Sequence, residues 1–342
     1  MRAPLLIGVV VALLGVGCVK RYATEPALEF AELDYSGPQG QPWPSKSVVL
    51  EGAKARYGLS HAPTLRYVEL NPSGAPTVVF LHGLGSYLKF WRAQLDVVAA
   101  QGYRVIAIDQ LGFGKSDKPA LFPYTTESFG ENVVELLDLL GLGDVILVGH
   151  SMGGQTALST AIRFPTRVRA LVLASPAGFE VFSAREQQWF RNVYARSLVK
   201  DADEEAIWGN VRDANFQRWT PDDEWLIEER VRLARNSDFD AYAYAQVRTV
   251  EGLAKNNFVR ESLAKVTAPT LIVFGNRDRL IPNAFLHGGF TGTTMEVGHE
   301  GIAHSRLLEF KGCGHTVQLD CAEEFNRALL GFLTELEARP KD

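Results

Sequence analysis

Short apolar runs alternate with longer amphipathic stretches through most of this chain. The apolar runs are residues 47–50, 64–70, 77–81, 104–109, 144–148, 168–174, 270–275 and 306–310, and helical spacing marks residues 90–100, 131–140, 155–161 and 323–337. Strands buried on both faces give continuous apolar runs, and helices between them are typical of βαβ units. The pattern predicts the α/β class: a mostly parallel sheet with helices on both faces. The first two runs are candidates for an antiparallel pair.

The alternation stops between residues 178 and 263. This stretch is charged and aromatic, contains four tryptophans and has no convincing buried strand, whereas residues 223–233 have helical spacing. We therefore predict a helical insertion, placed as a lid over a core made of residues 46–177 and 264–342. Its aromatic side chains are expected to pack between helices more often than to contact a substrate.

The N-terminus has the features of an export signal. Arg2 is followed by the apolar run 5–14 and by Gly15-Val16-Gly17-Cys18. This run is too short to span a bilayer comfortably, and its charge-then-apolar order is that of a secretory signal. Small residues before a lone cysteine resemble a bacterial lipobox, which implies lipidation of Cys18 and a membrane-anchored lipoprotein facing the periplasm. We expect residues 1–18 to be the signal and residues 19–45 a tether; an ordinary cleaved signal and an uncleaved anchor are the alternatives.

Composition narrows the possible partners. The 342 residues include 35 Lys and Arg against 40 Asp and Glu, for a net charge of −5, and 46% are hydrophobic. Without a long basic run, nucleic acid is not an expected partner. In an exported protein, Cys313 and Cys321 can form a disulfide, and two buried thiols are the alternative.

The segment Gly149-His150-Ser151-Met152-Gly153 lies between an apolar run and a helical one. Strand, sharp turn and helix is the setting in which a Gly-x-Ser-x-Gly motif presents a serine hydroxyl for nucleophilic attack. Gly149 and Gly153 leave room for neighbouring elements, and the Met152 amide opens the helix toward a developing oxyanion. The segment predicts a nucleophilic serine at position 151.

Together these features resemble the α/β-hydrolase superfamily, in its lid-bearing branch, over residues 65–337. The resemblance implies an eight-stranded sheet and a catalytic triad in the order Ser151, Asp278 and His315. It also implies that the backbone amides of Leu84 and Met152 form an oxyanion hole.

Other residues of the family motifs are expected to be structural. The loop 175–178 after the sixth strand, where some members carry the acid, has no carboxylate, which favours Asp278. His82 and Asp109 are interpreted as loop organisers.

Residues 283–305 depart from the family pattern. They are longer than usual, rich in glycine, and contain His287, His299, His304 and Glu300. Their spacing fits no familiar ligand pattern, so we expect no metal and no cofactor, and a loop beside the mouth of the site.

The expected activity is hydrolysis of small or medium-sized carboxylic esters through an acyl-enzyme, as in a carboxylesterase or lipase. Residues 313–315, 324–327 and 176–178, with Gln318, resemble meta-cleavage-product hydrolases, so carbon–carbon bond hydrolysis is the first alternative, although export argues against it. Peptidase or acyltransferase activity is another. A catalytically silent envelope binding protein is the alternative from outside the enzymes. The oligomeric state stays open.

Overall fold

A computed structural model describes residues 21–338. It contains one sheet of eight strands: β1 (Ser45–Val49), β2 (Thr64–Leu70), β3 (Thr77–Leu81), β4 (Arg104–Asp109), β5 (Val145–His150), β6 (Val168–Ala174), β7 (Thr270–Gly275) and β8 (Ser305–Phe310).

The helices are α1 (Glu51–Tyr57), α2 (Leu95–Ala99), α3 (Thr126–Leu139), α4 (Met152–Arg163), α5 (Ala184–Val193), α6 (Arg196–Lys200), α7 (Glu204–Trp208), α8 (Trp225–Leu233), α9 (Phe239–Lys255), α10 (Asn257–Glu261), α11 (Thr291–Gly301), α12 (Val317–Asp320) and α13 (Ala322–Ala338). Short 3-10 turns occupy Phe30–Glu32, Leu88–Trp91, Pro165–Arg167, Pro221–Asp223 and Leu263–Lys265, and a π-type turn occupies Gly209–Asp213.

The sheet has the order β1-β2-β4-β3-β5-β6-β7-β8. β1 pairs with β2, and β2 with β4, in antiparallel fashion, and all the other pairs are parallel. The central strands β3 and β5 are buried along their whole length, as expected for a sheet covered on both faces. The predicted α/β class and the antiparallel first pair are therefore confirmed. Because β3 and β5–β8 are parallel, the loops that follow them meet at one edge of the sheet.

Between β6 and β7 the chain forms the helices α5 to α10 and no strand. The longest, α9, packs closely on the loop before α3, since a Cβ on Gly252 would overlap the backbone carbonyl of Tyr124. Among residues 21–338, no helix has the length and apolarity needed to cross a bilayer.

Residues 21–43, which we call the N-terminal strap, are packed and do not form the predicted tether. Six apolar side chains of the strap are buried: Tyr22, Leu28, Phe30, Leu33, Tyr35 and Trp43. Their irregular spacing matches neither a strand nor a helix, so periodicity could not reveal them. The predicted signal and Cys18 lie outside the described residues.

Candidate active site

Ser151 lies on the turn between β5 and α4 with φ 50° and ψ −114°. A non-glycine residue with positive φ is uncommon and is held by its surroundings. Here the Ser151 amide donates to the Ala174 carbonyl at 3.0 Å, and its own carbonyl accepts from Gln155 and Ala177, each at 3.1 Å. The backbone on both sides of the serine is therefore fixed.

The two glycines of the motif allow the turn to pack. A Cβ on Gly149 would overlap the Gly153 carbonyl, and a Cβ on Gly153 would overlap the carbonyl of Leu81 at the end of β3. Backbone cannot give way as a flexible side chain does, so both positions require glycine. This packing brings α4 against the loop that follows β3.

Asp278 and His315 are paired on the loops after β7 and β8. The His315 Nδ1 lies 2.7 Å from Asp278 Oδ2, and the two side chains are 4% and 0% exposed. The second oxygen, Asp278 Oδ1, accepts from the amides of Leu280 at 2.8 Å and Ile281 at 3.1 Å. An ionised carboxylate only accepts, so Nδ1 carries the proton and Nε2 keeps its lone pair.

Three loops converge around Ser151. The His150 and His315 rings are 4.9 Å apart, and His150 Nε2 lies 3.2 Å from the His315 carbonyl oxygen. A Cβ on Gly83 would lie 3.4 Å from the Ser151 Cβ. Within residues 21–338, no hydrogen bond joins the Ser151 hydroxyl to the His315 ring.

His82 and Asp109 organise the loop after β3. His82 Nδ1 donates to the Gly83 carbonyl at 2.8 Å, and its Nε2 accepts from the Gln110 amide at 3.1 Å. Burial lowers the pKa of His82 to about 4, which agrees with this neutral form. Asp109 accepts from the Leu88 amide at 2.9 Å and from the Lys115 amide at 2.7 Å.

The backbone amides predicted to form the oxyanion hole are those of Leu84 and Met152. In the described part of the chain, neither N–H donates to a protein acceptor. Leu84 follows Gly83 on the loop after β3. Met152 is the first residue of α4, where helix geometry leaves the amide without an internal partner.

Sequence reasoning missed Asp320, which holds the loop 311–316 that carries His315, called here the histidine loop. This buried carboxylate accepts from the Gly314 amide at 2.6 Å, the Gln217 amide at 3.0 Å and the Arg218 amide at 2.6 Å. It thereby ties the histidine loop to the helical insertion. Only the folding of residues 215–218 onto this loop creates the role, so no sequence pattern announces it.

The two cysteines left open by the sequence are joined in a disulfide, with Cα atoms 6.1 Å apart. The bridge closes the loop that carries His315. With Glu324 these cysteines form the one group with metal-ligand spacing in residues 21–338, but both sulfurs are committed to each other.

The Gly-rich segment 283–305 contains α11 and contacts the insertion. His287 Nδ1 lies 2.7 Å from Glu180 Oε1, and His287 Nε2 lies 3.3 Å from Glu186 Oε1. His299 instead lies 2.8 Å from the Ser305 hydroxyl.

Arg230 of α8 is a second residue that sequence reasoning missed. Its guanidinium carbon lies 4.8 Å from the centroid of the Tyr242 ring, and Nη2 lies 3.5 Å from Gln246 Oε1. Tyr242 donates in turn to the Gly85 carbonyl at 3.1 Å. Arg230 Nη1 is buried and has no hydrogen-bond partner among the described residues. A buried cationic N–H without a partner is costly, and an anionic ligand would satisfy it.

Fold and site together define an α/β hydrolase. The model of the alpha/beta hydrolase fold family matches residues 76–322, and this protein belongs to that family.

The proteins that this chain is similar to include hydrolases of oxo acids and semialdehydes and an esterase. The chain is 30% identical over 277 residues to a 2-hydroxy-6-oxononadienedioate/2-hydroxy-6-oxononatrienedioate hydrolase of Paraburkholderia xenovorans (strain LB400), covering 76% of this chain and 87% of that one. It is also 30% identical to the 2-hydroxymuconate semialdehyde hydrolase of Pseudomonas sp. (strain CF600), covering 89% and 98%. Among solved structures, an esterase from Exiguobacterium antarcticum is 26% identical with a TM-score of 0.67, covering 81% and 97%.

Burial of neutral His82 predicts a loss of stability in acid. The pKa of His82 is about 4 in the folded chain against 6.5 as its ordinary value, so the unfolded chain binds the proton first as the pH falls. Its contribution is therefore lost between about pH 6.5 and 4, and amounts to about 3 kcal/mol at most. Urea unfolding at pH 7 and pH 4 should show a smaller difference for His82→Gln than for wild type. Equal differences would contradict the assignment.

Asp320→Asn should loosen the histidine loop. Losing the charged acceptor of three amides is expected to cost about 1–3 kcal/mol of unfolding free energy. Hydrogen exchange at Gly314, Gln217 and Arg218 should become faster. Glu323→Gln is the control, because the Glu323 side chain is 94% exposed. Identical exchange in the two variants would count against this role.

Proposed function

We propose that this protein is a serine hydrolase in which Ser151 attacks a substrate carbonyl carbon. His315 Nε2 takes the hydroxyl proton as the Ser151 Oγ–carbon bond forms, and the amides of Leu84 and Met152 receive the oxyanion. Asp278 orients His315 and stabilises its protonated form. Collapse expels the leaving group, which takes the proton from His315 and leaves an acyl-enzyme. Water activated by His315 then releases the acid.

The observation that carries this proposal is the buried pair of His315 and Asp278 beside a serine held at positive φ. A hydroxyl is a weak nucleophile unless a base is held near it, and this arrangement supplies the base and its orienting group. A silent binding protein needs neither the pair nor two free amides beside the serine.

A carboxylic ester is the substrate class we favour. An ester leaving group departs as an alkoxide and needs one proton, which the protonated His315 provides. The likeness to an esterase supports this choice. The helices α5 to α10 would act as the lid that shapes the acyl pocket.

Carbon–carbon bond hydrolysis is the second candidate, and Arg230 favours it. A carbon leaving group must depart as a stabilised enolate and be protonated on carbon, so the substrate needs conjugated carbonyl groups. The substrates named for the relatives above are of this type, and the substrate of the first relative carries two carboxylates. The unpaired Nη1 of Arg230 would bind such a carboxylate.

We also propose that the protein is exported and anchored through a lipidated Cys18. The support is the charge-then-apolar order of residues 2–14 and the buried disulfide, which is typical of oxidising compartments.

Ser151→Ala should abolish hydrolysis of p-nitrophenyl esters by the full chain in detergent. Wild type is assayed on acyl chains from acetate to laurate, and a fluorophosphonate probe should label wild type but not the variant. We expect at least about a thousandfold loss of kcat/KM, because the nucleophile is removed. Turnover that survives in the variant, or a wild type that neither turns over nor is labelled, would refute the proposal.

The same assay with 2-hydroxymuconate semialdehyde separates the two substrate classes. If carbon–carbon hydrolysis is the activity, Arg230→Gln should lower kcat/KM on this anionic substrate about a hundredfold, since a buried charge pair is lost. Turnover of a neutral ester should change less than about threefold, and so serves as the internal control. Turnover of esters alone would exclude the second candidate.

Cys18→Ser should release the protein from the membrane fraction of a bacterial host. Metabolic labelling with radioactive palmitate should mark wild type and not the variant, since the thiol is the lipid acceptor. Cys313→Ser/Cys321→Ser is the control and should retain the label. An unlabelled wild type would overturn the lipoprotein proposal.

A further inference from the structure

The N-terminal strap is attached first to the helical insertion. The buried Glu204 carboxylate accepts from three successive strap amides, those of Arg21 at 3.1 Å, Tyr22 at 3.1 Å and Ala23 at 3.0 Å. The Tyr22 hydroxyl donates to Glu224 at 2.7 Å. The strap lies before residue 76, where the match to the family model begins.

Phe30 of the strap reaches the loop after β3 from one side. The Phe30 ring is 7% exposed and its centroid lies 5.5 Å from that of Tyr242. The Tyr242 hydroxyl donates to the Gly85 carbonyl at 3.1 Å. Gly85 directly follows Leu84, so a single side chain, that of Tyr242, connects Phe30 to the residue next to Leu84.

Tyr35 of the strap reaches the same loop from its other end. Its hydroxyl donates to Asp109, which is fully buried. The other oxygen of Asp109 accepts from the Leu88 amide at 2.9 Å. Burial raises the pKa of Asp109 to about 6, so the donated Tyr35 bond helps to keep this carboxyl ionised.

We propose that the strap is a positioning element for the reaction. Phe30, through Tyr242, and Tyr35, through Asp109, hold the two ends of the segment 85–88 and so fix where the Leu84 amide points. This inference rests on the proposed function, because Leu84 is there an oxyanion donor. Because Glu204 binds the strap, the strap connects the insertion to the loop after β3.

The geometry matters because an oxyanion donor acts only where charge develops. A misplaced donor weakens binding of the transition state and leaves the ground state almost unaffected. Loss of either contact should therefore lower kcat more than it raises KM. A strap that only adds stability would not lower kcat more than it raises KM.

The test compares Phe30→Ala and Tyr35→Phe with Leu28→Ala in the full chain. Leu28 is a buried strap residue, 8% exposed, that forms neither of the two connections. We expect kcat on the best ester to fall about tenfold in the first two variants while KM changes less than about threefold. Leu28→Ala should lower the Tm as Phe30→Ala does and leave kcat close to that of wild type.

Hydrogen exchange measures the loop without any substrate. Amides of residues 83–88 should exchange faster in Phe30→Ala and Tyr35→Phe and not in Leu28→Ala. Unchanged exchange in the first two variants, or an equal fall of kcat in all three, would overturn the proposal. If wild type turns over no substrate while exchange changes as expected, the assignment as a hydrolase fails and the positioning by the strap stands.

Discussion

The close approach of α4 to the ends of β3 and β5 is the contact on which the rest of the site depends. Gly153 rests directly on the Leu81 carbonyl and Gly149 on the Gly153 carbonyl, so no side chain separates the helix from the sheet. This contact lies directly beside Ser151, which has a φ of 50°. A helix even one methyl group farther away would separate Ser151 from the loop after β3.

Hydrogen bonds from backbone amides stabilise the buried carboxylates that hold the surrounding loops. Asp278, Asp109 and Asp320 each accept from at least two amides, and Glu204 accepts from three. An ionised carboxylate is stable when buried only if such donors surround it. Each carboxylate therefore fixes a loop that has no regular secondary structure of its own.

The three histidines around the serine have different surroundings. Burial lowers the pKa of both His82 and His150, and neither has a carboxylate partner among the described residues. His315 alone of these three is paired with a carboxylate. The carboxylate of Asp278 is therefore available only to the ring that we propose as the base.

The helical insertion contacts the site from several directions. Asn215 accepts from the Thr316 amide at 3.2 Å, beside His315, and Tyr242 reaches Gly85 on the loop after β3. The strap fastens the same insertion through Glu204. Changes in the insertion are therefore expected to reach both the loop that carries His315 and the loop after β3.

The sequence by itself determined the order of strands and helices. Strands that are buried on both faces of a parallel sheet are continuous apolar runs, and these can be recognised without knowing their neighbours in space. It also pointed to Ser151, Gly149 and Gly153, since a tight turn between strand and helix restricts residue type locally. The roles of Asp320 and the strap depend on contacts between residues about a hundred or more positions apart. The role of Arg230 depends on a buried N–H that has no partner among the described residues. Only the tertiary structure decided these roles. Whether a carboxylate or a guanidinium has hydrogen-bond partners depends on which segments of the chain pack against it.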